Sequence, residues 1–388
     1  MNILLSCGEP SGDLYAGALT RELRALDKSV NVYGLGGAHM RQAGAEVVED
    51  FAGLTVTGVS EALAVIPRSL VIYRRLVTLA RHEHPDVFVP IDFPEINFRV
   101  ARSMRKMGIP VVYYVCPQVW AWRRGRLGKI KKFSTKALVI FPFEEAIYRE
   151  AGIPVEFVGH PLVDLTDTEC SRVDYLRRHR LNPESPTVAL LPGSRPNEVR
   201  SILGALIGAM ESIARTVPEI QFLVARAPGL ADSLFTALNN KFTVATRPRV
   251  VIVEAQTDEV IASSDVVVTA SGTATVQTAI HGRPMVIVYR LSPLTYRLVK
   301  RFAHVDMVGM VNLIAGKNVA PELLQDNLTA QWVAEAVLAF LGDPTRVEDT
   351  CSELRKVRDL LGHHGASQRA AEAILRVASS VRNGGGSR

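Results

Sequence analysis

Apolar and polar positions alternate along this chain in two rhythms. Short runs rich in Val, Ile, Leu and Phe are separated by longer stretches whose apolar residues recur at helical spacing. The runs predict strands buried on both faces and the stretches predict amphipathic helices, so the chain reads as α/β, with parallel strands joined by crossover helices. Strands are expected at 2–6, 31–35, 86–91, 111–115, 137–141 and 155–158 in the first half. In the second half they are expected at 188–191, 221–225, 250–254, 266–269 and 285–289, followed by helices around 294–301, 330–341 and 351–361. Between the sets, 164–186 is polar, carries Pro183 and Pro186 and has no apolar run, which reads as a connection. The expected division is an N-terminal domain 1–165, a second doubly wound domain 187–345, and C-terminal helices with a frayed tail, 346–388.

The chain has 388 residues, 47% hydrophobic and 22% charged, which is too long for one typical core and too apolar for a disordered chain. Lys and Arg number 45 against 39 Asp and Glu, a net charge of +6 that suits a phosphate-bearing partner or an anionic surface without choosing between them. Cys7, Cys116, Cys170 and Cys351 form no C-x-x-C pair, which predicts neither a disulfide framework nor a thiolate metal site and fits a reducing cytosol. Met1 and Asn2 lead straight into Ile3-Leu4-Leu5 without a basic leader, so no export is expected. The segment 54–80 is interrupted by Glu61, Pro67, Arg68, Arg74 and Arg75, and is not expected to cross a bilayer.

Chemistry is sought in loops after strands, because ligands of doubly wound folds bind at the carboxyl ends of the sheet. After the first strand, Gly8-Glu9-Pro10-Ser11-Gly12-Asp13 opens a helix; its glycines permit close ligand approach, and Ser11 or Asp13 suits the N-cap. A plain capped turn needs the same residues. After the third, Pro90-Ile91-Asp92-Phe93-Pro94-Glu95-Ile96-Asn97 offers two carboxylates and an amide. Asp92 is the general-base candidate there, although Asp92 or Asn97 capping the next helix explains the spacing as well. Trp120 and Trp122 precede Arg123, Arg124, Arg126, Lys129, Lys131 and Lys132, a run free of acids that suits nucleic acid, lipid head groups or simply solvent. In the second half, Gly193-Ser194-Arg195 and Ser271-Gly272-Thr273 each open a helix after a strand, and two such small-residue loops favour phosphate binding. The histidine pairs His82/His84 and His363/His364 lack metal-site spacing, so no metal is predicted, and no G-x-S-x-G elbow supports a serine hydrolase.

In sequence order, GEPSGD from Gly8, PIDFPEIN from Pro90, YVCPQVWAWR from Tyr113, FPFE from Phe141, FVGHPL from Phe157, LLPGSRPNEV from Leu190, SGTAT from Ser271 and VNLIAGKNVAPELLQ from Val311 cover nearly the whole chain. Together they resemble the lipid-A-disaccharide synthases, a family of nucleotide-sugar glycosyltransferases. The resemblance implies two facing Rossmann-like domains of the GT-B type, acceptor site in the first and UDP-sugar site in the second. It implies inverting condensation of UDP-2,3-diacylglucosamine with 2,3-diacylglucosamine 1-phosphate, giving a β-1,6-linked disaccharide 1-phosphate and UDP without a cofactor or metal. By motif, Asp92 is the base; Glu9, Ser11, Asp13 and Glu95 line the acceptor side. Gly193, Ser194, Arg195, Ser271, Gly272, Thr273, Gln277 and Asn312 serve the UDP sugar. Trp120, Trp122, Arg123, Arg124, Arg126 and Lys129 face head groups of an anionic inner membrane on its cytoplasmic side, with no nucleic acid partner expected. Two positions depart from the family pattern: Glu95 stands where relatives often carry Asp, and Gln277 where they usually carry Glu. The competing readings are an epimerase or transferase using UDP-N-acetylglucosamine and a non-acylated partner, or a non-catalytic membrane-binding relative.

Overall fold

The structure is a computed structural model that describes the chain outside residues 55–58, 119–123, 169, 243–247, 292–295, 297–306 and 385–388, and outside the side chains of 59–64, 124 and 381–384. The chain divides into two compact units. The first holds Met1–Leu165 and the C-terminal Leu361–Arg388, and the second Thr166–Val299 with Val305–Leu360.

In the first unit, strands β1 (Asn2–Ser6), β2 (Asn31–Gly36), β3 (Glu46–Asp50) and β4 (Val87–Pro90) form a parallel sheet in the order β3-β2-β1-β4. The strands β5 (Val112–Tyr114), β6 (Lys136–Val139) and β7 (Val155–Phe157) continue it through the parallel bridges Phe88↔Val111 and Ile91↔Tyr114. The second unit repeats the arrangement with β8 (Thr187–Leu191), β9 (Gln221–Arg226), β10 (Arg249–Glu254), β11 (Val266–Ala270), β12 (Met285–Tyr289) and β13 (Glu322–Leu324), in the order β10-β9-β8-β11-β12-β13. The order in which successive strands are added therefore reverses between β1 and β4 in one unit and between β8 and β11 in the other. Those are the topological switch points, where loops diverge and leave room for a ligand.

The continuous apolar runs explain the central strands. Leu4, Val32, Phe88 and Val89 of the first sheet and Val188, Phe222, Val267 and Val286 of the second are buried almost completely. Each core adds one amphipathic layer: Ile72, Leu76 and Ala80 of the Val59–Glu83 helix in the first, and Ile202, Leu206 and Met210 of the Pro196–Thr216 helix in the second.

Three expectations are corrected. The stretch 164–186 is more than a connection, because its Arg172–Arg178 helix buries Tyr175 and Leu176, and Arg172 bonds Ser263 O at 2.8 Å and Asp265 at 2.9 Å. The edge strands β3 and β13 were not expected; β3 alternates exposed and half-buried residues and β13 has three residues, so neither shows a buried run. The segment 346–388 is shared between the units. Its Pro344–Leu360 helix stays in the second, while the Ala366–Gly384 helix joins the first and packs on Pro10–Leu26. Arg369 fixes that last helix by donating to Val158 O at 2.9 Å and His364 O at 2.7 Å, and Asp164 accepts from Gly365 N at 2.7 Å. The helix expected at 294–301 lies almost wholly outside the described residues.

Candidate active site

The four glycine- and acid-bearing loops singled out in the sequence follow β1, β4, β8 and β11, the strands that flank the two switch points. In the first unit the loops after β1 and β4 are interlocked. A Cβ at Gly8 would lie 2.2 Å from the Phe93 ring, so this glycine admits an aromatic side chain of the neighbouring loop rather than a ligand. The residue before the Pro10–Leu26 helix is Glu9, half-buried and extended, which brings its carboxylate into the electrostatic reach of Asp92. Ser11 stands in the first turn, half-buried, and caps nothing.

Asp13 does not line an acceptor surface. It is buried, and its carboxylate accepts from Gly37 N at 2.7 Å, His39 N at 2.9 Å and Met40 N at 3.2 Å, so it caps the Ala38–Gln42 helix after β2. It does not cap its own helix, as its position had implied.

Asp92 lies two residues past the end of β4, after the bridging Ile91, with φ 43°, and Phe93 follows with φ 49°. Two successive non-glycine residues in the left-handed region cost of order 1–3 kcal/mol each and persist only where the surroundings hold them. Here Asp92 N donates to Val115 O at 3.1 Å and Tyr114 O at 3.3 Å, and Asp92 O accepts from Asn97 Nδ2 and Tyr113 Oη, both at 2.8 Å. Burial pushes the Asp92 carboxyl up to about 7, and the charges of Glu9 and Glu95 add to the rise; a backbone bond from Phe93 and the charge of Arg126 oppose it. Glu95 is exposed and reaches Arg126 at 3.3 Å, and Arg126 lies over the Phe98 ring, 5.8 Å from its centroid. His160, in the FVGHPL motif, is buried edge-on to Tyr15 and against Phe141, and accepts from Leu162 N at 3.2 Å. Burial lowers its pKa to about 3, so it stays neutral and takes no part as an acid near pH 7.

In the second unit, Gly193 has φ 120°, and the buried Glu198 folds back beneath it. Glu198 accepts from Ser194 N at 3.2 Å and from Arg195 Nη1 at 3.0 Å. One carboxylate thus fixes both expected diphosphate ligands, and Pro196 begins the following helix without an N–H to offer. At the second loop, Gly272 has φ 150° and open space around the position of a Cβ, and Thr273 starts the Thr273–Ile280 helix. Ser271 Oγ donates to Val308 O at 3.0 Å. Gln277 donates to Asp258 at 3.3 Å, and the same carboxylate meets His281 Nε2 at 3.0 Å, which places a carboxylate beside Gln277 from a different helix, Thr257–Ala262.

Asn312 corrects another expectation. Its amide is buried and saturated: Nδ2 donates to Ala320 O and Glu322 Oε1, each at 2.8 Å, and Oδ1 accepts from Val319 N at 2.8 Å and Ala320 N at 2.9 Å. No position remains for a donor sugar, and the residue instead folds the loop that ends in β13. Asn97, Tyr113, Glu198 and Asp258 were not singled out as binding or catalytic residues; Asn97, Tyr113 and Asp258 have partners distant in sequence, while Glu198 acts within its own loop on Ser194 and Arg195. Of the basic patch, Trp120, Trp122 and Arg123 and the side chain of Arg124 lie outside the described residues, while Lys129 is exposed on the Leu127–Phe133 helix.

The lipid-A-disaccharide synthetase family matches residues 3–377 of the chain. The lipid-A-disaccharide synthase of Syntrophus aciditrophicus is 39% identical over 373 residues, covering 96% of this chain and 97% of that protein. Among solved structures, the UDP-GlcNAc 2-epimerase of Neisseria meningitidis bound to UDP-GlcNAc superposes with a TM-score of 0.68 at 12% identity, over 97% of this chain and 100% of that one. The calicheamicin glycosyltransferase superposes with 0.60 at 16%, over 97% and 98%. Both are likenesses of fold, and they are those of the GT-B type expected from the sequence. With the family matched over nearly its whole length, the chain belongs to the lipid-A-disaccharide synthetase family.

Proposed function

We propose that this chain is the glycosyltransferase of lipid A assembly that joins UDP-2,3-diacylglucosamine to 2,3-diacylglucosamine 1-phosphate. Asp92, ionised, takes the proton from the acceptor 6-hydroxyl as that oxygen attacks the anomeric carbon of the donor. The bond from that carbon to the diphosphate breaks, the electron pair leaves with UDP, and the new linkage is β-1,6 with inversion. The observation that carries this reading is a carboxyl at a switch point whose pKa is raised to about 7, near the operating pH at which a general base is most effective. Glu9 and Glu95 sustain that rise and stand on the acceptor side. On the donor side, Arg195, Ser194, Gly193 and the Ser271-Gly272-Thr273 loop would neutralise the developing charge on the diphosphate without a metal. Gln277, with Asp258 beside it, would meet the donor's hydroxyls.

The acylated substrates call for an approach to a lipid surface on the cytoplasmic side of the inner membrane. Support comes from the Val59–Glu83 helix, where Ile66, Leu70 and Val71 are 47%, 38% and 48% exposed among Arg68, Arg74 and Arg75. Among the described residues no helix is long and apolar enough to cross a membrane. The test is incubation of the purified protein with both acylated sugars, reading UDP and disaccharide by mass spectrometry. Wild type should form both and Asp92→Asn should be about 10²- to 10⁴-fold slower. Turnover of UDP-N-acetylglucosamine alone, without a disaccharide, would overturn the assignment.

A further inference from the structure

We propose that Asn97 and Tyr113 are positioning residues for Asp92: together they clamp its main-chain carbonyl, and so hold a residue in the left-handed region with its carboxyl in one orientation at the strand end. This inference rests on the reading of Asp92 as the base. Asn97 and Tyr113 are themselves fully buried and present no surface to a substrate. Asn97 Nδ2 lies 2.8 Å from Asp92 O, 3.1 Å from Ser6 O and 3.4 Å from Ile91 O, while Asn97 Oδ1 accepts from Ser6 Oγ at 2.6 Å. The amide thus ties the carboxyl ends of β1 and β4 to the first turn of the Pro94–Lys106 helix. Tyr113 Oη comes from β5 and donates to the same Asp92 carbonyl at 2.8 Å. With the Asp92 N–H held by Val115 O and Tyr114 O, both ends of one residue's backbone are fixed by groups from its neighbours.

A buried amide and a buried phenol are expensive unless bonded, and apolar residues already fill this core around them. Their joint use on one carbonyl makes sense if the orientation of that peptide matters. Without the clamp, Asp92 and Phe93 can relax out of the positive-φ region, which rotates the Cα–Cβ bond of Asp92 and displaces its carboxyl. A displacement on the scale of an ångström costs a proton transfer a large factor in rate.

The test measures UDP release by the full-length protein over a range of donor concentrations up to saturation, with acceptor saturating, for Tyr113→Phe and Asn97→Ala, each made in wild type and in Asp92→Asn. Tyr113→Phe removes one oxygen and keeps the ring, so its fold and donor KM should be unchanged while kcat falls about tenfold. Asn97→Ala should lower kcat by about tenfold to a hundredfold. In the Asp92→Asn background the same changes should cost nothing further, because the group they position is gone. An unchanged kcat for Tyr113→Phe, or an equal loss with and without Asp92, would overturn the inference; the second result marks the clamp as structural only. Should Asn97→Ala fail to fold, Tyr113→Phe decides alone. Full turnover by Asp92→Asn would instead remove Asp92 as the base, and the clamp's catalytic meaning with it.

Discussion

Replacing Asp92 by asparagine should make the protein more stable at alkaline pH, and the size of the gain follows from the carboxyl's surroundings. An acid whose folded pKa is raised binds its proton more tightly in the native state than in the unfolded chain. Its contribution to stability is full below the unfolded value of 3.8 and is lost as the pH rises to about 7, the folded value. A shift of that size corresponds to at most about 4 kcal/mol, and the partial exposure of Asp92 reduces this to about 1–2 kcal/mol. An amide in its place carries no charge at any pH, so the penalty disappears in the variant. Thermal unfolding of both proteins at about pH 4.5 and about pH 8 should show little difference at the lower pH and a melting temperature about 3–6 °C higher for Asp92→Asn at the higher. The reasoning fails if the variant is equally or more stable by the same margin at both pH values, which would trace the effect to packing. It also fails if the variant is destabilised at about pH 8. In the wild-type enzyme the same titration should appear as an acid limb near pH 7 in kcat/KM.

Arg195→Ala should cost about 2–4 kcal/mol in kcat/KM, as loss of a cation at a developing diphosphate charge does, and an unchanged value together with unchanged UDP affinity by calorimetry would exclude it from the site. Because Glu198 is buried beneath Arg195, the Glu198→Gln variant should weaken UDP binding as well, by loosening Ser194 N and the guanidinium together; identical UDP affinity would show that the loop holds itself. Arg369→Ala should destabilise the first unit by about 2 kcal/mol, through the carbonyls of Val158 and His364 that lose their donor, and urea unfolding with no change in midpoint would refute that role. Anionic vesicles at low salt should sediment the protein and high salt should release it, whereas no binding at low salt would leave the apolar Ile66–Leu70 face and the basic run without a lipid partner.

The central strands were legible because a strand buried on both faces has nothing polar to hide its pattern; Leu4, Val89, Val188 and Val267 sit where the apolar runs placed them. The edge strand β3 was not, since half its positions face solvent and its Glu46, Glu49 and Asp50 read as loop. The last helix carries a weaker signal: Ala366, Ala370, Ile374 and Ala378 recur every fourth residue and all are buried against the first unit. Small side chains lower the apolar contrast of such a face, although they are what allows a helix to pack closely on Pro10–Leu26.

The loops show where a single chain's sequence stops informing. The sequence offered Asp13, Asp92 and Asn312 as polar residues beside a ligand, and each is a small acid or amide, Asp92 in a loop after a strand and Asp13 and Asn312 within the helices Pro10–Leu26 and Met310–Ala315. Such a side chain serves either a ligand or a backbone donor left over elsewhere, and the choice depends on which N–H groups the rest of the fold leaves unpaired. For Asp13 those donors are Gly37, His39 and Met40, more than twenty positions away, and for Asn312 they are Val319 and Ala320 across a turn. Asp92 differs because the neighbouring loops satisfy its backbone while burial and two nearby carboxylates keep its side chain protonated until about pH 7. A side chain whose main chain is held by others, and whose charge is opposed by burial and two carboxylates more than the Phe93 N–H and Arg126 favour it, adds little to the fold when ionised. That distinction, invisible in the motif itself, is the physical ground for proposing Asp92 as the base, while the carboxylate of Asp13 and the amide of Asn312 hold backbone donors.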